Sequence, residues 1–445
     1  MTDPMDRLLH APDFEPLVAL AGHFDEIARR AGARRRRRFA AACVLSAVVV
    51  AGTLTGIAIA ARPAQAPLPP ASGSSPSETP SAPPTQSPST PPASTPVAAA
   101  GLGTGPVPAN FRPVSVTYVS SAVGFLLGDR PCGQSVRCPA MVVTGDGGAA
   151  WQGLPEPPAP LANRTSAAPT RDGISDVRFA NPRDGWLFGG GLWATHDGGR
   201  HWDHSVLTPS GGDSVVLDLA TDGTTSYAVV ATCGSDGSCR SYRLYEGSVG
   251  SDAWRPVAGS LGAGTARFIG SLSVSGGRGI VIAGSSLWVR SGSQWRSVSS
   301  PPCGSTGGAS AAAASASDAR LVVFCGEGAA GSRYLTPWVS DDNGAGWRKV
   351  ADGSAVTPSG RITVAAASAQ IFMIASANPD LGGRLLRSSD GGRSFTDAAA
   401  PKQPGGWWYV GARSAAWLVA VPAQPDGSLW SSRDAGRTWQ AYRFR

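Results

Sequence analysis

Lysine is almost missing from this chain. Of its 38 basic residues only Lys349 and Lys402 are lysine, and neither follows a glycine. A phosphate-cradling P-loop is thereby excluded, because its lysine comes directly after the glycine turn. No G-x-S-x-G nucleophile elbow and no C-x-x-C pair occurs. Charged residues make up only 16% of the chain, and from residue 105 onward they are scattered. The net charge of +7 is gathered in part into one short run of arginines and forms no basic ridge with interleaved aromatics. No nucleic-acid partner is therefore expected. Only five histidines are present, and three of them, His196, His201 and His204, fall around one turn. Spacing alone would suit a metal, but His196 and His201 occupy variable positions of a repeated motif and His204 lies just beyond it. They read as decoration of a turn, and no metal or cofactor is expected.

What the chain does have is repetition, which decides architecture ahead of any other signal. The pattern S/T-x-D-x-G-x-x-W/F recurs at 144–151, 195–202, 340–347, 388–395 and 432–439. Each position has a physical task in a tight turn between two strands. The carboxylates of Asp146, Asp197, Asp342, Asp390 and Asp434 can accept hydrogen bonds from the turn's backbone N–H groups. The glycine supplies a conformation that a side chain would penalise. The Ser or Thr hydroxyl adds a local bond. The aromatics Trp151, Trp202, Trp347, Phe395 and Trp439 cover the hairpin with apolar surface.

On these octets, and on units such as Val177-Arg178-Phe179, Gly185-Trp186 and the octet from Thr195, the chain resembles the BNR/Asp-box repeat family over roughly residues 105–445. That group includes sialidases, other glycosidases, sortilin-type receptors and photosystem II stability factor-like propellers. The first unit repeats the order with Tyr118, Gly124-Phe125 and the octet from Thr144. The resemblance implies a propeller whose octets are mostly structural, so it speaks for fold far more than for activity.

The octet aspartates are separated by 51, 145, 48 and 44 residues. The large gap fits three units, so two octets should be degenerate. One is 288–295, which keeps Gly292 and Trp295 but carries Arg290 in place of the Asp. The other is 244–254, which keeps Trp254 and little else. Short alternating or apolar runs bounded by Gly, Ser, Asp and Pro read as antiparallel strands. The expectation is an all-β, seven-bladed β-propeller at 105–445, with a six-bladed ring carrying an irregular insert as the alternative.

Ahead of the repeats lie three segments. Residues 39–61 carry no charge over 23 positions, enough at about 1.5 Å per residue to span a bilayer core of roughly 30 Å. Arg29, Arg30 and Arg34 through Arg38 precede it, which predicts a cytoplasmic N-terminus and an exported C-terminal region. A cleaved signal peptide is the alternative, with 64–66 as the cleavage site, but the 38-residue leader argues for a retained anchor. In that leader Phe14, Leu17, Val18, Leu20, Ala21, Phe24 and Ile27 fit a short amphipathic helix. Residues 62–104 form a linker whose first part, 62–100, holds twelve prolines among Ser, Thr and Ala. It reads as a disordered, extended stalk of up to about 120 Å.

Cys43 lies in the apolar span. The other six cysteines suit an oxidising compartment, with disulfides expected at Cys132 with Cys138, Cys233 with Cys239, and Cys303 with Cys325. In a propeller the loops can be sorted by side without coordinates. Octet turns join the third and fourth strands and share one face with the turns between the first and second. All three expected bridges then fall on the opposite face, with the irregular stretches 155–173 and 422–428. Trp407, Trp408 and Tyr409, entering the last blade, lie near it as well. Binding groups commonly sit on such loops, so this face is the candidate ligand surface, although tandem aromatics leading into a strand more often pack between blades.

For chemistry, the sialidase resemblance implies three arginines clamping a carboxylate, a Tyr nucleophile paired with an acid, and a further acid. The family's opening F/Y-R-I-P is only partly matched by Phe111-Arg112-Pro113. Two-carboxylate glycosidases need paired acids across the sugar. Asp129, Glu156, Asp172, Glu327, Asp380 and Asp426 are on or near the candidate face, and solvated loop acids are the simpler reading. No catalytic residue is assigned. The sequence reads as a single-pass, N-in membrane protein whose exported propeller is a non-catalytic binding or assembly platform for an envelope protein or glycan. An exported sialidase-type glycosidase is the alternative.

Overall fold

The computed structural model describes residues 102–445 apart from 135, 163–170, 208–213, 258–260, 262–265, 268–269, 300–301, 304–308, 315–318, 328–333, 351–360 and 379–381. The leader, the apolar span, nearly all of the linker and Asp380 lie outside the described residues. Among the described residues no helix is long and apolar enough to cross a membrane.

Seven antiparallel meanders follow one another at 112–153, 176–204, 214–256, 270–297, 309–349, 361–397 and 407–443. Each has four strands in sequence order, and the third gains a short fifth, Ala266–Arg267, against the start of its third strand. Each sheet buries both faces against its neighbours, so the second strands are largely buried. Thr225–Cys233 and Phe372–Ala377 are examples.

Seven hydrophobic clusters fill the seven junctions, one each. Phe125 stacks on Phe179 at 3.6 Å between blades 1 and 2. Leu244 and Val281 meet between blades 3 and 4. The ring closes between the last blade and the first, where Tyr409, Val419 and Phe444 pack with Phe111, Val116 and Leu126. Phe111 and Phe444 meet edge to face at 4.9 Å. Among the described residues no strand is exchanged to close the circle. Seven blades, not six, make the ring: five carry intact octets, and blades 3 and 4 carry the two degenerate ones.

Each intact octet closes the same way. Its hydroxyl donates to its own aspartate, at 2.7 Å for Ser340 to Asp342 and 3.0 Å for Thr195 to Asp197. The N–H of the fifth-position glycine donates back to the hydroxyl, as Gly148 does to Thr144 at 2.9 Å. N–H groups at the seventh position, and at the sixth in three copies, donate to the carboxylate. The fourth position is left-handed too, with φ from 56° at Asn343 to 78° at Gly198. That conformation points its N–H at the turn between the first and second strands, as Gly147 donates to Ala122 at 2.7 Å and Gly391 to Gln370 at 3.0 Å.

Arginines then staple blade to blade on this side. Arg433 donates to the Gly147 carbonyl across the closure at 2.8 Å, Arg387 to Ala435 at 2.6 Å, and Arg296 to Asn343 at 2.8 Å. Each carbonyl is the octet's fourth. Guanidinium groups bring several fixed donors to such sites, which suits a chain that uses arginine almost to the exclusion of lysine.

Candidate functional site

The three disulfides, Cys132–Cys138, Cys233–Cys239 and Cys303–Cys325, are formed. The first two close loops between second and third strands. The third ties the connection into blade 5 to that blade's second strand. Strand direction places all three on the side opposite the octets.

The innermost strands begin on the disulfide side, and their first residues ring the mouth of the central channel. Among them are Arg112, Asp176, Arg361 and Trp407. Blades 2 and 6 are not neighbours, so a contact between their inner strands crosses the axis. Arg361 of blade 6 makes one, with Nη2 3.6 Å from Oδ2 of Asp176 in blade 2. The Arg361 guanidinium also lies 4.3 Å over the ring of Trp408. Asp176 accepts a further bond from Ser175 at 2.6 Å.

One layer deeper sits Arg178. Its Nε donates to the Leu219 carbonyl of blade 3 at 3.3 Å. Burial alone would lower its pKa. The Tyr409 hydroxyl and the carboxylates of Asp218 and Asp176 outweigh that and raise it. Asp218 accepts N–H bonds from Leu219 at 2.8 Å and from Leu272 of blade 4 at 2.7 Å. Burial pushes its pKa up to about 6 against the pull of Arg178 and those N–H groups. Two guanidinium groups, two carboxylates, a phenol and an indole thus bridge the channel, with their charges matched.

The candidate aromatics separate in this setting. Trp407 is 2% exposed and packs against Trp430 and Trp439 between blades 6 and 7. Tyr409 is 8% exposed, in the closing junction and beside Arg178. The register slips between Trp407 and Tyr409, which leaves Trp408 half-buried at the mouth. The face acids are engaged singly. Asp129 is paired with both Arg112, at 2.8 Å, and Arg137. Glu156 pairs with Arg130 at 2.6 Å. Asp426 accepts from the Ser428 N–H at 2.9 Å. Asp172 is exposed.

The three histidines part company. His196 bridges Asp184 at 2.7 Å and Asp252 of blade 3 at 3.3 Å. His201 bonds its own octet's Asp197 at 2.6 Å, and His204 packs on Trp193 at 4.7 Å. Among the described residues no group of three His, Cys, Asp or Glu side chains is placed to hold a metal ion.

Sequence reasoning missed Asp176, Arg178, Asp218 and Arg361. The signal available was their place, at the start or middle of predicted inner strands where an apolar residue is expected.

Fold and channel together define an all-β, seven-bladed propeller with a charge-matched central passage. No known family profile and no curated relative matches the sequence. Solved structures do. YCF48 bound to D1 peptide is 15% identical, covering 76% of this chain and 96% of that one at a TM-score of 0.45. YCF48 from Cyanidioschyzon merolae is 16% identical, covering 74% and 97% at 0.46. The GH74 xyloglucanase from Xanthomonas campestris is 16% identical, covering 74% and 72% at 0.37.

Proposed function

We propose that this chain is a divergent BNR/Asp-box propeller, held at the cell membrane by residues 39–61, that serves outside the cytoplasm as a non-catalytic binding or assembly platform. The disulfide-bearing face, with Trp408 and the channel mouth at its centre, takes the partner, an envelope protein or a glycan.

The observation that carries this reading is the pairing of the inner-strand arginines. A sialidase-type site needs three arginines converging on one substrate carboxylate. Here Arg112 turns to Asp129 of its own blade, Arg361 reaches Asp176, and Arg178 is held among Asp218, Asp176 and Tyr409. Each cation already faces a protein acid. What stays accessible is an aromatic ring stiffened by a guanidinium, a surface suited to contact by stacking.

The test uses the full chain in two assays. Turnover of a fluorogenic sialoside or other glycoside would favour the glycosidase. Specific capture of an envelope component without turnover supports the platform. Trp408→Ala and Glu156→Lys should abolish capture, while Arg200→Glu on the octet side should leave it intact. The opposite pattern would move the partner to the octet face.

A further inference from the structure

On the octet side, at the seam where the ring closes, two arginines have no carboxylate partner among the described residues. Arg413 follows the innermost strand of blade 7, and Arg433 is the second residue of that blade's octet. Both flank Trp417. The guanidinium carbon of Arg433 lies 3.5 Å from the indole centroid and that of Arg413 5.2 Å away. Among the described residues the Arg433 guanidinium makes one hydrogen bond, to the Gly147 carbonyl. The Nε of Arg413 and the indole N–H of Trp417, itself 4% exposed, are buried with no acceptor among the described residues.

The acids within reach are committed elsewhere. Asp146 accepts from Thr144 at 2.8 Å and from the Ala150 N–H at 2.9 Å. Asp434 accepts from Ser432 at 2.8 Å and from Thr438 at 2.7 Å and 2.9 Å. The ring of Tyr118 packs on Trp417 at 4.7 Å, and burial raises its pKa, so it remains neutral. Arg413 is pulled below its usual pKa by burial and then by Arg433 beside it. Two like charges held against one indole, with unused donors, are stabilised by an anion. Planar guanidinium forks match oxyanion geometry, and stacking on an aromatic fixes their planes.

We propose that this seam binds a tetrahedral oxyanion, a phosphate or sulfate group, between Arg413 and Arg433 at the edge of Trp417. A phosphoryl group carries about −1.5 to −2 charge at neutral pH, which matches two cations where a carboxylate would leave one uncompensated. This site lies on the opposite side of the ring from the face assigned to the partner and stands independently of that assignment.

The test titrates the full chain, with labelled tryptophan, against inorganic phosphate, sulfate, acetate and chloride at one ionic strength. The indole N–H resonance of Trp417, assigned by Trp417→Phe, is followed. The expected result is a saturable shift of that resonance with phosphate or sulfate and none with chloride. Arg413→Gln should weaken it by about tenfold, the effect of losing one charge-assisted contact. The Arg413 N–H bonds the Trp417 carbonyl at 2.9 Å, but its guanidinium makes no hydrogen bond among the described residues, so this variant tests binding without removing a staple. Arg433→Gln, which does remove one, should weaken binding at least as much. Phenyl phosphate binding more tightly than phosphate would assign the group to a larger ester, and equal binding to the free ion. No saturation, equal response to chloride, tighter binding of acetate, or an unchanged Arg413→Gln titration would overturn the proposal.

Discussion

Arg290 donates to Asp222 at 2.9 Å from the position where an intact octet carries its aspartate. The two side chains are 8% and 12% exposed and belong to blades 4 and 3. Arg290 also lies 4.9 Å over Tyr227, which meets Trp295 edge to face. Blade 4 therefore makes its turn differently. Ser291 pairs directly with Gln294 around Gly292 in a two-residue hairpin that needs no carboxylate. The position freed by the lost aspartate is used to tie two blades together. Removing one partner of a buried pair strands the other charge and typically costs about 3–5 kcal/mol. Arg290→Met should lower the unfolding free energy by that order, measured by urea titration. Arg290→Met combined with Asp222→Asn should recover much of the loss, because no lone charge remains.

That pair marks where the sequence was and was not readable. The octets disclosed their own chemistry because every partner lies within a few residues, and the hydroxyl, carboxylate and glycine roles are those observed. The left-handed fourth position had a trace, since it is Gly, Gly, Asn, Gly and Ala in the five copies. The sorting of loops by side followed from strand alternation alone. The channel was not legible. Arg361 meets Asp176 from 185 positions away, and no local period encodes which inner-strand residues face the axis. Trp408 was ambiguous for a similar reason, because the slip in register that parts it from Trp407 and Tyr409 leaves no mark in composition.

Ala435 holds φ at 62° where three other octets have glycine. A β-carbon in that region costs roughly 1–2 kcal/mol. Ala435→Gly should stabilise the protein, by about 0.5–1 kcal/mol after the greater freedom of glycine in the unfolded chain is counted. The reverse change at Gly391 should be harmful. A β-carbon there would overlap Nη1 of Arg320, which reaches over from blade 5 to bond the Ala369 carbonyl of blade 6 at 2.6 Å. Gly391→Ala thus combines backbone strain with displacement of a staple. Thermal melts of the two variants should move in opposite directions.

The octet aspartates predict acid sensitivity. Burial pulls Asp197 upward, but the N–H and side chain of His201, the Thr195 hydroxyl and the Arg200 N–H hold it at about 2. Asp434 lies well below the usual range because of the Thr438 N–H and hydroxyl. Asp146, Asp342 and Asp390 shift the same way. A depressed carboxylate contributes stability above its unfolded pKa of about 3.9, and that contribution disappears as pH falls through the folded value. The denaturation midpoint should hold down to about pH 4 and then fall steeply toward pH 2. Asp197→Asn should be less stable than wild type at pH 7, and the two should converge by pH 2. A constant difference would mean that the carboxylate's charge is not what its turn uses.

Asp218 predicts the opposite dependence. Its folded pKa of about 6 stands above the unfolded value. The proton is therefore bound more tightly in the native state, and the stability it gives is full below about pH 3.9 and lost as pH rises through 6. Arg178 limits that loss by facing the ionised form. Arg178→Met removes the cation and leaves Asp218 and Asp176 to ionise without it in a passage where burial already opposes charge. The variant should be less stable than wild type at pH 8 and much less affected at pH 5, where Asp218 takes up a proton. Asp218→Asn placed on Arg178→Met should flatten this dependence, since the group that titrates is gone. Urea titrations of the three proteins at both pH values provide the check. An Arg178→Met penalty that is equal at pH 5 and pH 8 would show that Asp218 does not feel the guanidinium, and the charge-matched channel would then have to be redrawn.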